Sequence, residues 1–160
     1  MDGGDGMLVS GIDHVAILTA DTSRLCAFYT EMFGAVVAGE LRPEEGLRLT
    51  FLRVGPTSEF NVFEVEGNTE ADRQTPMFGR GRIDHLALNA GSLEAFDTIR
   101  SRLIEAGASD GFVTDFGPIL SVFFRDPDGL EAEVCVQNPD ARPGTFNPPG
   151  TPSWRYHPQA

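Results

Sequence analysis

The chain is 160 residues long, enough for one domain or for two half-size modules sharing a core. It is 41% hydrophobic with twelve Phe, carries a formal net charge of −12, and takes all twelve of its basic residues as Arg. Such an acidic chain is not expected to bind nucleic acid, where neutralising phosphate dominates affinity, and the lack of Lys excludes a Walker-type phosphate loop and Schiff-base chemistry. No run of about 18 apolar residues suggests a membrane span and no signal peptide is evident, so a soluble cytoplasmic protein is expected. The cysteines, Cys26 and Cys135, are too few for a disulfide framework, and Cys26 falls in a helical pattern as a small buried hydrophobe.

Residues 1–10 read as a flexible leader, with an internal start available at Met7. A first module is expected over 11–66. It opens with Gly11-Ile12-Asp13-His14-Val15-Ala16-Ile17, which returns 71 residues later as Arg82-Ile83-Asp84-His85-Leu86-Ala87-Leu88. That repeat points to two copies of one supersecondary unit, and it places two of the three histidines at equivalent positions. Residues 12–18 form the first expected strand. Asp21 then caps a helix whose apolar residues Leu25, Phe28, Tyr29, Met32 and Phe33 follow i, i+3, i+4 spacing, and Gly34 closes it. Strands are expected at 35–41, 47–54 and 60–65, the last two joined by a hairpin loop at Gly55-Pro56-Thr57-Ser58. The module reads βαβββ.

Residues 67–81 are polar and Gly-rich, and read as a linker. The second module, 82–138, repeats the order: a strand at 83–89, a Ser92-capped helix with Phe96, Ile99, Leu103 and Ala106 on one face, and a weak strand at 111–116. A hairpin of 119–125 and 130–137 follows, turning at Asp126-Pro127-Asp128-Gly129, where Pro sets φ and Gly takes the positive-φ position. Residues 139–160 are Pro-rich and lack apolar periodicity, so they form a tail, either disordered or strapped over the surface. Trp154, Arg155, Tyr156 and His157 cluster near its end, and Trp154 is a candidate anchor on its own domain or on a dimer partner. The fold class is α+β: two tandem βαβββ modules pairing into a curved mixed sheet around a central pocket.

Strand alternation assigns the faces. Val15 and Ile17 in the first copy, and Leu86 and Leu88 in the second, face the helices. His14 and His85 look out from the opposite face, each beside a small Ala. In the last strand of each module, Ala132, Val134 and Val136 face the core, so Glu133 and Cys135 point away from it; the same logic turns Asn61 and Phe63 outward. His14 and Asn61 are 47 residues apart, His85 and Glu133 are 48 apart. Under a pseudo-two-fold axis these four residues would converge on one cavity. Two imidazoles and a carboxylate suit a divalent metal with positions left open for substrate, and Asn61 would be a weak fourth ligand or would hydrogen-bond a bound water.

The paired Ile-Asp-His strands, the Phe28-Tyr29 … Phe33-Gly34 helix end, and Asp126-Pro127-Asp128-Gly129 running into Glu133 resemble the vicinal oxygen chelate superfamily, over about residues 10–138. That superfamily includes glyoxalase I, bleomycin-resistance proteins, extradiol dioxygenases and methylmalonyl-CoA epimerase. The resemblance implies a glyoxalase-like fold, a homodimer, and a divalent metal (Fe, Zn, Ni, Co or Mn) held by His14, His85 and Glu133. Asn61 stands where glyoxalase I usually has Glu, which argues against glyoxalase I itself and looks more like the epimerase branch. Phe63 and Cys135 would line the substrate pocket, with Phe51, Phe123 and Phe124 divided between pocket and core; Glu40, Glu64 and Glu131 are candidate bases. The function implied is metal-dependent chelation of a small oxygenated substrate through adjacent oxygens, for lyase, isomerase or dioxygenase chemistry. The alternative is a metal-free binding protein of the antibiotic-sequestering type, for which strong acidity would suit a cationic drug.

Overall fold

A computed structural model describes residues 8, 9 and 11–154. The first module comprises β1 (His14–Leu18), α1 (Thr22–Phe33), β2 (Val36–Glu44), β3 (Leu47–Arg53) and β4 (Glu59–Val65). The second comprises β5 (Ala87–Asn89), α2 (Leu93–Glu105), β6 (Val113–Asp115), β7 (Ile119–Arg125) and β8 (Glu131–Gln137). Each module forms a four-stranded sheet, ordered β1-β4-β3-β2 and β5-β8-β7-β6, in which the first strand pairs parallel to the last and the others pair antiparallel. Both helix caps are as the sequence indicates. Asp21 and Ser92 accept from Arg24 N and Ala95 N, and Gly34 ends α1 at φ 72°.

Two strands differ from the expectation, and the tail takes the second of its two expected forms. β5 covers only 87–89, so His85 sits just ahead of its strand, although Glu133 N still bonds Leu86 O at 2.9 Å. β2 runs on to Glu44 through two register shifts against β3. The tail is strapped down by backbone bonding along the edge of β6, where Asp115 N bonds Thr151 O, Asn147 N bonds Phe116 O and Ser153 N bonds Val113 O. Gly117, at φ 95°, is needed there, because a Cβ would collide with the Thr145 carbonyl. Trp154 is 96% exposed and so does not anchor the tail on its own domain. Met7, Arg155, Tyr156 and His157 lie outside the described residues.

One hydrophobic core serves both modules. Leu25, Tyr29 and Met32 of α1 and Phe96 and Leu103 of α2 pack with Leu52, Phe60 and Val62 of one sheet and Val122, Phe124 and Val134 of the other. Phe28 and Phe33 of α1 lie against Phe124 of β7, with ring centroids 6.2 and 5.1 Å away. The modules also cross over at their ends. The end of β1 meets the β7–β8 turn, where Asp128 accepts from the Thr19 hydroxyl and pairs with Arg24 at 2.6 Å. Reciprocally, the start of β1 and the β3–β4 loop share a cavity with residues 86–89. β1 and β5 therefore lie head to tail, in pseudo-two-fold fashion.

Beside this crossover, Asp126 is buried and accepts the Asp128 and Leu130 amides at 2.9 Å. Burial, despite those amides and aided by the Asp128 charge, pushes its carboxyl up from 3.8 to about 6. The folded state therefore holds this proton more tightly than the unfolded chain. The stabilisation is complete below about pH 4 and is lost as pH rises through about 6, by at most about 3 kcal/mol. Denaturant unfolding of wild type and Asp126→Asn, which keeps the amide acceptor, should diverge across that window, with the variant gaining on wild type as pH rises. A constant difference from pH 4 to pH 7 would show that Asp126 does not titrate across it.

Candidate functional site

The shared core uses the helix-facing side of each strand. Val15, Ile17, Leu86 and Leu88 pack against it, as do Phe60, Val62, Ala132, Val134 and Val136. Their alternates, His14, Asn61, Phe63, Glu133 and Cys135, are thereby turned away, as strand alternation predicts. The registers confirm the repeat at the site, since Ala16 pairs with Asn61 and Ala87 with Glu133. Phe51 and Phe123 occupy equivalent outward positions opposite Asn61 and Glu133, whereas Phe124 is core.

The second module brings its two candidate ligands together. His85 Nε2 lies 3.2 Å from Glu133 Oε1, and its Nδ1 is 2.7 Å from Asp84 Oδ2. The Glu133 carboxylate is buried, and its Oε2 accepts the Ser121 hydroxyl. In the first module His14 Nδ1 is likewise 2.8 Å from Asp13 Oδ1. An aspartate on Nδ1 fixes the proton there and presents Nε2 as the free donor, a recurring arrangement for imidazole that binds metal. Asp13 and Asp84 were therefore functional candidates visible in the sequence, since each precedes His in both copies of the repeat. Strand alternation does not select them, because they precede the regular strands.

The two pairs do not meet within one chain. His14 opens onto the cavity of about 310 Å³ formed with the β3–β4 loop and residues 86–89, whose lining does not include His85. Among the described residues no three His, Cys, Asp or Glu side chains lie together as a metal cluster. The convergence of four ligands on one cavity, expected from the repeat, is therefore not seen as a gathered cluster within one chain among the described residues. Asn61 Oδ1, on the His14 face, is buried with no hydrogen-bond partner among the described residues.

The surrounding titratable groups are otherwise engaged. Hydrogen bonding to Asp84, against some desolvation and with help from Glu133, raises the His85 pKa, and the same bond lowers that of Asp84. Burial, then the Glu133 charge, pushes the Cys135 thiol up to about 12, so it is no nucleophile near neutrality. Burial also raises Cys26. The three candidate bases are tied up: Glu40 pairs with Arg48 and Arg42, Glu64 accepts the Thr22 amide, and Glu131 binds Arg125, Arg80 and the Met77 amide. Each of these carboxyls is held below its ordinary range by those partners.

A family model described as the Glyoxalase/Bleomycin resistance protein/Dioxygenase superfamily matches residues 11–134. The uncharacterized protein YwkD of Bacillus subtilis (strain 168) is 32% identical over 136 residues, covering 82% of this chain and 100% of that protein. Lactoylglutathione lyase GLX1 of Arabidopsis thaliana is 27% identical over 132 residues, or 81% of this chain; the match spans only 45% of the plant protein. Among solved structures, a glyoxalase family protein from Enterococcus faecalis superposes with a TM-score of 0.62 at 28% identity, over 81% of this chain and 99% of that one. Among the described residues no helix is long and apolar enough to cross a membrane.

In the metal-free protein His85 should titrate by NMR above the ordinary 6.5, and Asp84→Asn should bring its midpoint down. An unmoved midpoint would show that Asp84 does not hold the imidazole.

Proposed function

The chain belongs to the Glyoxalase/Bleomycin resistance protein/Dioxygenase superfamily, and on that footing we propose that it is a divalent-metal-dependent enzyme acting on a small oxygenated molecule. The observation that carries the reading is the Asp-held imidazole: both copies of the repeat tie Nδ1 to the preceding aspartate, and one aims Nε2 at a buried carboxylate oxygen. His14, His85 and Glu133 are the proposed ligands. Two imidazoles and a carboxylate fit Fe, Zn, Ni, Co or Mn. Such an ion supplies Lewis-acid stabilisation of an enolate or oxyanion on a substrate with two adjacent oxygens, suited to lyase, isomerase or dioxygenase chemistry.

The chain's own residues set the rest. Asp13 and Asp84 orient the imidazoles. Asn61 Oδ1, buried and without a partner, accepts a hydrogen bond from substrate or a bound water, or completes the ligand set. Phe63 and Phe51 form an apolar wall beside Asn61, and Cys135 stands beyond Glu133 as an uncharged surface.

Because no three His, Cys, Asp or Glu side chains gather within one chain among the described residues, we place the complete site between two copies. β1 and β5 are both edge strands, and both His-bearing faces point away from the core. A two-fold partner can set the His14–Asn61 face of one protomer against the His85–Glu133 face of the other.

Elemental analysis of protein purified without chelator should find about one metal per chain, lost in His85→Ala. Iron would favour oxygenase chemistry; zinc, nickel, cobalt or manganese would favour lyase or isomerase. No metal after reconstitution would overturn the enzyme reading in favour of a metal-free binding protein. Refolding His14→Ala with His85→Ala tests the shared site. Heterodimers then carry one intact and one doubly damaged site, so metal binding should return to about a quarter of wild type if half the dimers are mixed. No recovery would place the site within one chain.

A further inference from the structure

The carboxylate and the amide at equivalent positions of the two modules have different surroundings. In the second, β7 and β8 pair Phe123 with Glu133 and Ser121 with Cys135. In the first, β3 and β4 pair Phe51 with Asn61 and Leu49 with Phe63. Ser121 is thus the counterpart of Leu49. Each stands diagonally across from the polar residue, on the same face of its sheet.

Leu49 offers Asn61 no hydrogen-bond partner, and the Asn61 carbonyl oxygen is buried without one. Ser121, wholly buried in the middle of its strand, donates its hydroxyl to Glu133 Oε2, while Glu133 Oε1 faces His85 Nε2. A fully buried serine mid-strand is costly unless its hydroxyl is satisfied. The repeat indicates that the strand tolerates an aliphatic side chain here. The hydroxyl has a single hydrogen to donate, and it is given to the carboxylate oxygen that does not face the imidazole.

Resting on the reading of His85 and Glu133 as ligands, we propose that Ser121 is a positioning residue that holds Glu133 by one oxygen so that the other is presented to the metal. With Oε2 occupied, the carboxylate offers one oxygen at a fixed angle. It is kept from rotating or from closing on the ion with both oxygens, and more positions are left open for a substrate that brings two. Without that hydroxyl Glu133 would keep only the imidazole, which would turn to the ion on binding, and the weak Cys135 thiol donor.

Ser121→Thr and Ser121→Val test this as a pair, since they match in shape, suit a strand, and differ in the hydroxyl. Zn²⁺ and Mn²⁺ are titrated into the full chain by calorimetry, alongside thermal unfolding of the metal-free forms. Val is expected to weaken metal binding by about 10- to 100-fold while Thr stays within a few-fold of wild type. A structural role would lower the melting temperature of the Val form and leave its affinity intact. Equal losses in both variants, or an unchanged Val affinity, overturns the positioning role while the ligand assignment stands. Absence of metal binding in wild type overturns both.

Discussion

The arrangement depends on one packing contact, the α1 aromatic ridge of Phe28, Tyr29 and Phe33 seated between Phe60 of its own sheet and Phe124 of the other. Those rings join two modules, each too small to bury its own helix and sheet face, into one core. Once the helix-facing side of every strand is committed to that core, alternation leaves the side carrying His14, Asn61, His85 and Glu133 no direction but outward. The crossover of Thr19 and Arg24 onto Asp128 fixes the relative rotation of the modules, since Asp128 is buried and needs all of its donors. Functional geometry is thus a consequence of how the other face is packed.

Much of this could be read from the sequence because it is local. The helix caps, the outward set His14, Asn61, His85 and Glu133, and the Asp126–Gly129 turn follow from period, cap chemistry and φ preference acting over a few residues. What could not be read is what depends on the contact between modules. The repeat says that two units are alike and not how they face each other. The same pattern is compatible with β1 and β5 meeting ligand to ligand or head to tail. The choice is made by Phe124 and Asp128, which in the sequence look like ordinary core and turn residues. The tail is similar: its backbone amides pair with the β6 edge, and no side-chain pattern announces such pairing.

The two half-sites differ in how well they are supported. Asp84 sits in a built frame: the Phe78 amide donates to its second oxygen, and Arg80 reaches the Asp84 and Glu131 carbonyls at 3.0 and 2.8 Å. Phe78 adopts φ 67°, costly for an aromatic residue, and its amide is one of the donors that hold Asp84. From Arg80, which donates to the Thr75, Asp84 and Glu131 carbonyls, through Asp84, His85 and Glu133 to Ser121 the polar contacts are continuous. Among the described residues Asp13 has no such frame: its side chain is 97% exposed and pairs with His14 alone.

That imbalance bears on how a shared site would assemble. A metal-binding pair held rigid before the ion arrives loses little freedom on binding, whereas an exposed Asp13–His14 pair must be ordered at some cost. On the proposed reading, His85 and Glu133 of one protomer would hold the ion, and the first module of the partner would add His14, the Asn61 oxygen and the apolar Leu49, Phe51 and Phe63 face. The polar half would hold the ion and the apolar half would meet the carbon skeleton of the substrate. Tandem duplication offers this division, because two equivalent positions can diverge: Glu133 keeps its serine, while Asn61 keeps an oxygen free for what the site binds.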